Sequence, residues 1–389
     1  MSGSNTQDLG RLPLKDNPTG QGLFLAALGL LGVGAVMVYS ASAGGDAGSP
    51  AARQEIRHLA YAAAAMGVMG LLWRVDYRRL ARGGTIGTGA VVLFGAAFAL
   101  SVLVLIPGIG AEFNGARRWL RIPLGAFTLT FQPSELLKIA LVILLACWLG
   151  RRGEQVRSFR RTFLPAAALV GACVGVVAVQ DFDTGAVIGL VGCCLLLVAG
   201  VRWYHLLTLV PPAAAGFVVL VVMNANRWQR ITAFLHPWED TASTWQLRQS
   251  LIAVGSGGWW GKGLGNGTTK LGFLPEDRTD FIFSVICEEL GFFGGAIVLG
   301  LFALIVVFCW IAASRSRGVG RLLATGVGLT IGAQAVLHAA VAIGCAPPTG
   351  VTLPLVAAGG TSLLLVAAAL AMVISVTAHR GAHDAEDPA

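Results

Sequence analysis

Four polar clusters interrupt an otherwise apolar chain, and their side chains are of the types that proton transfer and anion binding require. The first, NGARRWLRIPLG followed by FQPSELLK (114–138), sets Arg117, Arg118 and Arg121 ahead of Glu135 and Lys138. The second, QDFDTG (180–185), carries Asp181 and Asp183. The third is the long stretch 224–284, with Lys262, Glu276 and, in LPEDRTDF, Asp280. The fourth, CAPPTGVTLPLVAAGGTS (345–362), is rich in Pro and Gly and has no charge, the composition of a re-entrant wall lining a groove. A carboxylate among such cations suits a general base taking a proton from a hydroxyl. The guanidinium and ammonium groups suit phosphate. Each residue also has a plainer structural role to set against this. Glu135 and Lys138, spaced i and i+3, can form an internal ion pair. Asp183 can cap the helix that follows it, and Asp280 stands just before another apolar helix start. Neither a Ser-His-Asp order nor H-E-x-x-H occurs, and GSGGWWGKGLGNG lacks the P-loop context of a nucleotide cradle.

Membrane-spanning helices must hold these groups. The 389 residues are 55% apolar and 12% charged, about half the charge of a soluble domain, and mean hydropathy is +0.73. The net charge of +8 sits in scattered loops rather than on a soluble basic face, which excludes a nucleic-acid partner. Runs long enough to span a bilayer fall near 22–43, 58–73, 86–106, 132–149, 162–180, 184–200, 204–223, 282–311, 321–344 and 360–378. The fold class is therefore an all-α integral membrane protein of about ten transmembrane helices. One long outer loop, about 224–283, lies between spans seven and eight. Residues 1–21 form an N-terminal tail, 22–378 a single polytopic domain and 379–389 a C-terminal tail. Lys and Arg concentrate in the short connections 74–82, 151–161, 201–203 and 314–321, which places these and both termini in the cytoplasm. The long loop then faces outward. The seven cysteines lie in or beside apolar runs and form no C-x-x-C pair, so they read as small buried hydrophobes.

Four stretches in this order, NGARRWL with FQPSELLK, RQSLIAVGSGGWWGKGLG, LPEDRTDFIFSVICEELGFFG and PPTGVTLPLVAAGGTS, resemble the SEDS family (shape, elongation, division and sporulation). The resemblance spans about residues 22–378 and is closer to the division branch than to the elongation branch. It implies a peptidoglycan glycosyltransferase of the cytoplasmic membrane that polymerises lipid II at the outer face. Asp280 would be the catalytic residue, and Arg117, Arg118, Trp119, Glu135, Lys138, Asp183, Gln249, Lys262 and Glu276 would border the substrate. Implied partners are the undecaprenyl-diphosphate-linked substrate, a class B penicillin-binding protein and other divisome or elongasome membrane proteins. No metal-ligand set is visible; whether magnesium or manganese assists the diphosphate stays open. Departures are Ala357-Ala358 where the family commonly has Ser-Tyr, and DFDTG where it has P-D-x-G-T. Two other classes compete: a transporter that flips the same lipid, with Asp280 as a cap, and a scaffold that only recruits a transpeptidase.

Overall fold

The computed structural model describes residues 12–42, 50–84, 86–113, 116–124, 127–239, 242–268 and 278–379. Three helices open the chain: α1 (Pro18–Ser42), α2 (Pro50–Leu72) and the single turn α3 (Arg78–Ala81). Next come α4 (Thr88–Leu103) and a meander of β1 (Gly110–Phe113), β2 (Ala116–Leu124) and β3 (Phe127–Phe131). The middle contains α5 (Pro133–Leu149), α6 (Leu164–Ala178), α7 (Phe182–Ala199), α8 (Trp203–Leu206) and α9 (Val210–Phe217). It continues with α10 (Ala225–Leu235) and α11 (Ala242–Gly257). Three long helices close it: α12 (Ile282–Ser314), α13 (Gly318–Ala342) and α14 (Thr361–Ala378). Among the described residues, seven segments are long and apolar enough to cross a membrane: α1, Phe159–Ala178, α7, Trp203–Val222, α12, α13 and α14. The other three expected spans coincide with α2, α4 and α5. Of these, α4 is short and α5 carries Glu135 and Lys138 within its 17 residues.

Three features depart from the expected layout. Between the expected spans 86–106 and 132–149, β1, β2 and β3 form an antiparallel three-stranded sheet, where β-branched and aromatic residues suit a pleated surface. The stretch 224–284, expected as one polar loop, is partly helical: α10 starts at the Asn224 cap, whose Oδ1 accepts from Arg227 N at 3.2 Å. The expected span 204–223 is a broken rod in which α8 and α9 precede a π-helical turn, Val218–Val222. It is the least enclosed of the candidate spans, with 11% of its apolar window buried.

The core runs through α1, α5, α12, α13 and α14, where Leu30, Met37, Leu137, Leu145, Ile286, Ala324 and Leu370 are sealed from outside. Lipid tails are as apolar as these side chains, so cohesion rests on close packing, which small residues permit. Gly34 of α1 lies so near the turn after α13 that a Cβ would sit 2.7 Å from Val356 O. That turn holds Leu355 at φ 62°, a conformation a bulky residue adopts only when its surroundings impose it. The segment 345–360 between α13 and α14 is thus a pinned strap. Its Ala358 N–H donates to Arg278 O at 3.0 Å. At its end Thr361 Oγ1 donates to Thr130 O at 3.3 Å. The long helix α12 is broken at Gly291 (φ 68°, ψ −167°), so Ile282–Leu290 is a separate buried half-helix directly after Asp280.

Candidate active site

The sheet delivers the first cation. β1 and β2 pair Ala111 with Trp119 but Glu112 with Arg117, leaving Arg118 as the extra residue of a bulge. A bulge re-aims one side chain, and Arg118 turns to the start of α7. Its Nε donates to Gln180 O at 2.8 Å and its Nη1 lies 3.7 Å from Asp181 Oδ2. Arg117 points the other way, onto Glu112 at 3.1 Å, while its backbone N–H donates to Gln180 Oε1 at 3.1 Å. Gln180 therefore braces both arginines through its backbone and its amide.

The cap of α7 is Asp181, not Asp183 as the sequence suggested: Asp181 Oδ1 accepts from Thr184 N at 3.2 Å and Oδ2 from Thr184 Oγ1 at 2.9 Å. The cap orients the following turn so that Asp183, two residues on, faces the strap. Asp183 Oδ2 accepts from Gly350 N at 3.0 Å and from Arg230 Nη1 at 3.4 Å. Gly350 is where the clusters meet. A Cβ placed on it would lie 3.5 Å from Arg118 Nη1 and 3.7 Å from Asp280 Oδ2. Asp280, half-buried in the turn before α12, therefore shares one small volume with Arg118 and Asp183. The second, third and fourth clusters, far apart in sequence, converge there with Arg118 of the first.

Beside Gly350 opens a cavity of about 380 Å³, lined by Arg118, Asp183, Arg227 and Arg230 together with the apolar Phe182, Phe217 and Leu337. Three guanidinium groups line it with the Asp183 carboxylate, while Asp181 stands against Arg118; the planar fork of Arg matches phosphate, which suits the cavity to an anion. Its apolar wall suits a hydrocarbon chain. Arg227 is fixed by donating to Leu220 O at 2.8 Å and Val179 O at 2.7 Å, and burial lowers its affinity for a proton from the ordinary guanidinium level. Arg227 and Arg230 were missed in the sequence; their i, i+3 spacing directly after the Asn224 cap was the available signal.

The remaining expected residues lie around this centre. Lys138 and Glu135, 1% and 4% exposed, pair at 2.8 Å, and Glu135 Oε2 accepts from Ser362 Oγ at 3.0 Å. They join α5 to α14 and do not line the cavity. Lys262 donates to Glu288 Oε1 at 2.7 Å, and Glu288 also accepts from Thr268 N and Oγ1. That pairing docks the glycine-rich segment on the half-helix after Asp280. Trp119 is half-buried in β2. Gln249 is half-buried on α11, next to Ser250, which bonds Ser284 Oγ at 2.6 Å. Glu276 lies outside the described residues. Among the described residues no three His, Cys, Asp or Glu side chains form a group able to hold a metal ion.

A multi-spanning membrane bundle with a polar centre at one end of its helices is the class that fold and site define. The sequence model of the cell cycle protein family that groups FtsW, RodA and SpoVE matches residues 21–382, and the chain belongs to that family. It is 39% identical over 369 residues to stage V sporulation protein E of Bacillus subtilis, covering 91% of this chain and 96% of that one. It is also 39% identical over 371 residues to a probable peptidoglycan glycosyltransferase FtsW of Thioalkalivibrio sulfidiphilus, covering 91% and 88%. A chain in a peptidoglycan synthase complex, described as coordinating polymerization and crosslinking, superposes with TM-score 0.73 at 28% identity, covering 94% of this chain and 98% of that one. The rod shape determining protein RodA of Thermus thermophilus superposes with TM-score 0.64 at 29% identity, covering 94% and 97%.

Proposed function

We propose that the chain is a peptidoglycan glycosyltransferase that polymerises lipid II in the cytoplasmic membrane, with Asp280 as general base. The reading is carried by one observation: Asp280, Arg118 and Asp183 meet at Gly350, beside a cavity with three guanidinium groups and an apolar wall. Lipid II joins a disaccharide-pentapeptide to a polyprenyl chain through a diphosphate, so it needs an anion receptor and an apolar surface side by side. Asp280 takes the proton of the acceptor's 4-hydroxyl as the oxygen bonds to the donor's anomeric carbon. The bond from that carbon to the diphosphate oxygen breaks with inversion, and the polyprenyl diphosphate leaves with the electron pair. Charge growing on the leaving oxygen is met by Arg118, Arg227 and Arg230. Glu135 and Lys138 tie α5 to the start of α14, just after the strap, and Lys262 supports the half-helix. A class B penicillin-binding protein is the partner this reading implies for crosslinking, in division rather than elongation. Both termini face the cytoplasm and Asp280 faces outward.

Transport of the same lipid would need a polar path through the bundle. The cavity beside Lys138 and Thr330 is about 10 Å³, room for one water at most. Purified full-length chain in liposomes separates the two readings. Glycan strands made from lipid II on the Asp280 side, without movement of labelled lipid II across the bilayer, are expected. Movement without strands overturns the polymerase.

A further inference from the structure

We infer that the end of the bundle opposite Asp280 carries a headgroup site for an anionic phospholipid, built where four inter-helix connections meet around Gly150. Gly150 packs directly on the start of α13: its Cβ position would be 2.6 Å from Val319 N, and a Cβ placed on Gly318 would lie 3.0 Å from Gly150 O. Arg151 donates to Gly84 O at 3.1 Å and also to Ala81 O. Arg152 donates to Arg161 O at 2.6 Å and lies 5.0 Å from the centre of the Trp148 ring. From the other side, Arg321 donates to Val198 O at 3.2 Å and Arg202 to Tyr204 OH at 2.7 Å. Arg317 is exposed, directly before Gly318.

Bonds to carbonyls, and for Arg202 to a phenol, hold four of these guanidinium groups in place but leave their charge unbalanced, and each fork keeps donors to offer. None of the five is in an ion pair with a described residue. The one acid within 150–163, Glu154, pairs with Arg157 at 3.3 Å. A lipid rather than free phosphate fits because the apolar surface continues from Arg202 along the broken span. Trp203, Leu207 and Val210 are 69%, 55% and 59% exposed there. Basic pockets between helix ends are a recognised form of anionic headgroup site. The site is remote from Asp280 and independent of the glycosyltransferase reading.

The test is binding of diphosphatidylglycerol to the purified full-length chain in phosphatidylcholine nanodiscs, followed by native mass spectrometry. One saturable lipid is expected on the wild type. A surface guanidinium is worth about 1 kcal/mol toward an anionic headgroup, so Arg317→Gln, which breaks no bond of the fold, weakens binding about 5-fold. Arg317→Gln/Arg321→Gln weakens it roughly 30-fold. Lys15→Gln, an exposed cation at the same end beside α1, leaves it unchanged. Equal binding by wild type and both arginine variants, an equal loss with Lys15→Gln, or displacement by equimolar inorganic phosphate overturns the site.

Discussion

Asp280 and Asp183 approach Gly350 from different elements and do different work. Asp183 Oδ2 accepts from Gly350 N–H and from Arg230, which makes it a bracket between strap and α10. Asp280 sits across the glycine at the head of the half-helix, as a proton acceptor for a hydroxyl should. Asp280→Asn keeps shape and removes the proposed base, so the polymerisation rate from lipid II should fall about 10²–10⁴-fold with lipid II binding retained. Strand synthesis at the wild-type rate would remove Asp280 from the chemistry. Arg230 bonds Asp183, while its neighbour Arg227 also holds two backbone carbonyls. Arg230→Gln is therefore the cleaner probe of the anion receptor. A charge-assisted hydrogen bond is worth about 1.5–3 kcal/mol, which predicts a kcat/KM lower by roughly 10- to 150-fold, while loss of the half-exposed Arg230–Asp183 pair lowers stability by no more than about 1 kcal/mol. An unchanged kcat/KM would place the diphosphate elsewhere. Asp280, Arg118 and Asp183 were all named from the sequence, but nothing in it showed that the three converge at Gly350. Sequence spacing says nothing about a β-bulge, and the bulge is what turns Arg118 rather than Arg117 toward the centre.

At the scale of elements, hydropathy located the apolar helices because a bilayer demands length and composition. It could not show that α12 is two pieces. The break lies at Gly291, whose φ 68° and ψ −167° fall in a region open essentially to glycine alone; a Cβ there would also overlap Gly261 N. Gly291→Ala should therefore lower stability by at least about 2 kcal/mol. In Gly300→Ala, in the same helix with open space around it, stability should rise by roughly 0.5–1 kcal/mol. Thermal unfolding in one detergent compares them, and equal midpoints would contradict the broken helix. The Glu135–Lys138 pair poses a different question, since its spacing foretold an ion pair while resemblance suggested contact with substrate. Lys138→Met leaves Glu135 buried without its cation, a loss of about 3–5 kcal/mol. Lys138→Met/Glu135→Gln removes the stranded charge and keeps an acceptor for Ser362, so most stability should return, with polymerisation within about 10-fold of wild type. A stable double variant slowed 100-fold would mean that Lys138 acts on substrate after all.

For the molecule as a whole, the charge distribution and the site make one combined statement. Arginines gather where α5, α7 and α12 end, while Asp280, Arg118 and the strap gather where α5, α7 and α12 begin. If Lys and Arg mark the cytoplasmic side, the reaction centre faces outward, where strands can leave without crossing the bilayer. Cys345 reports on this directly. It opens the strap, five residues before Gly350, and is exposed, whereas Cys147, Cys173, Cys287 and Cys309 are buried and Cys193 and Cys194 half-buried in α7. A membrane-impermeant maleimide added to intact cells, with the outer wall made permeable where an outer membrane exists, should label the chain at Cys345. The label should vanish in Cys345→Ser. A cysteine introduced at Arg317, on the arginine-rich end, should react only after the cytoplasmic membrane is opened. The reverse pattern would put Asp280 on the side of the arginine-rich connections' present assignment, and an outward glycosyltransferase could not stand. Labelling of both positions from outside would break the link between bundle ends and membrane faces, and with it the assignment of ten spans.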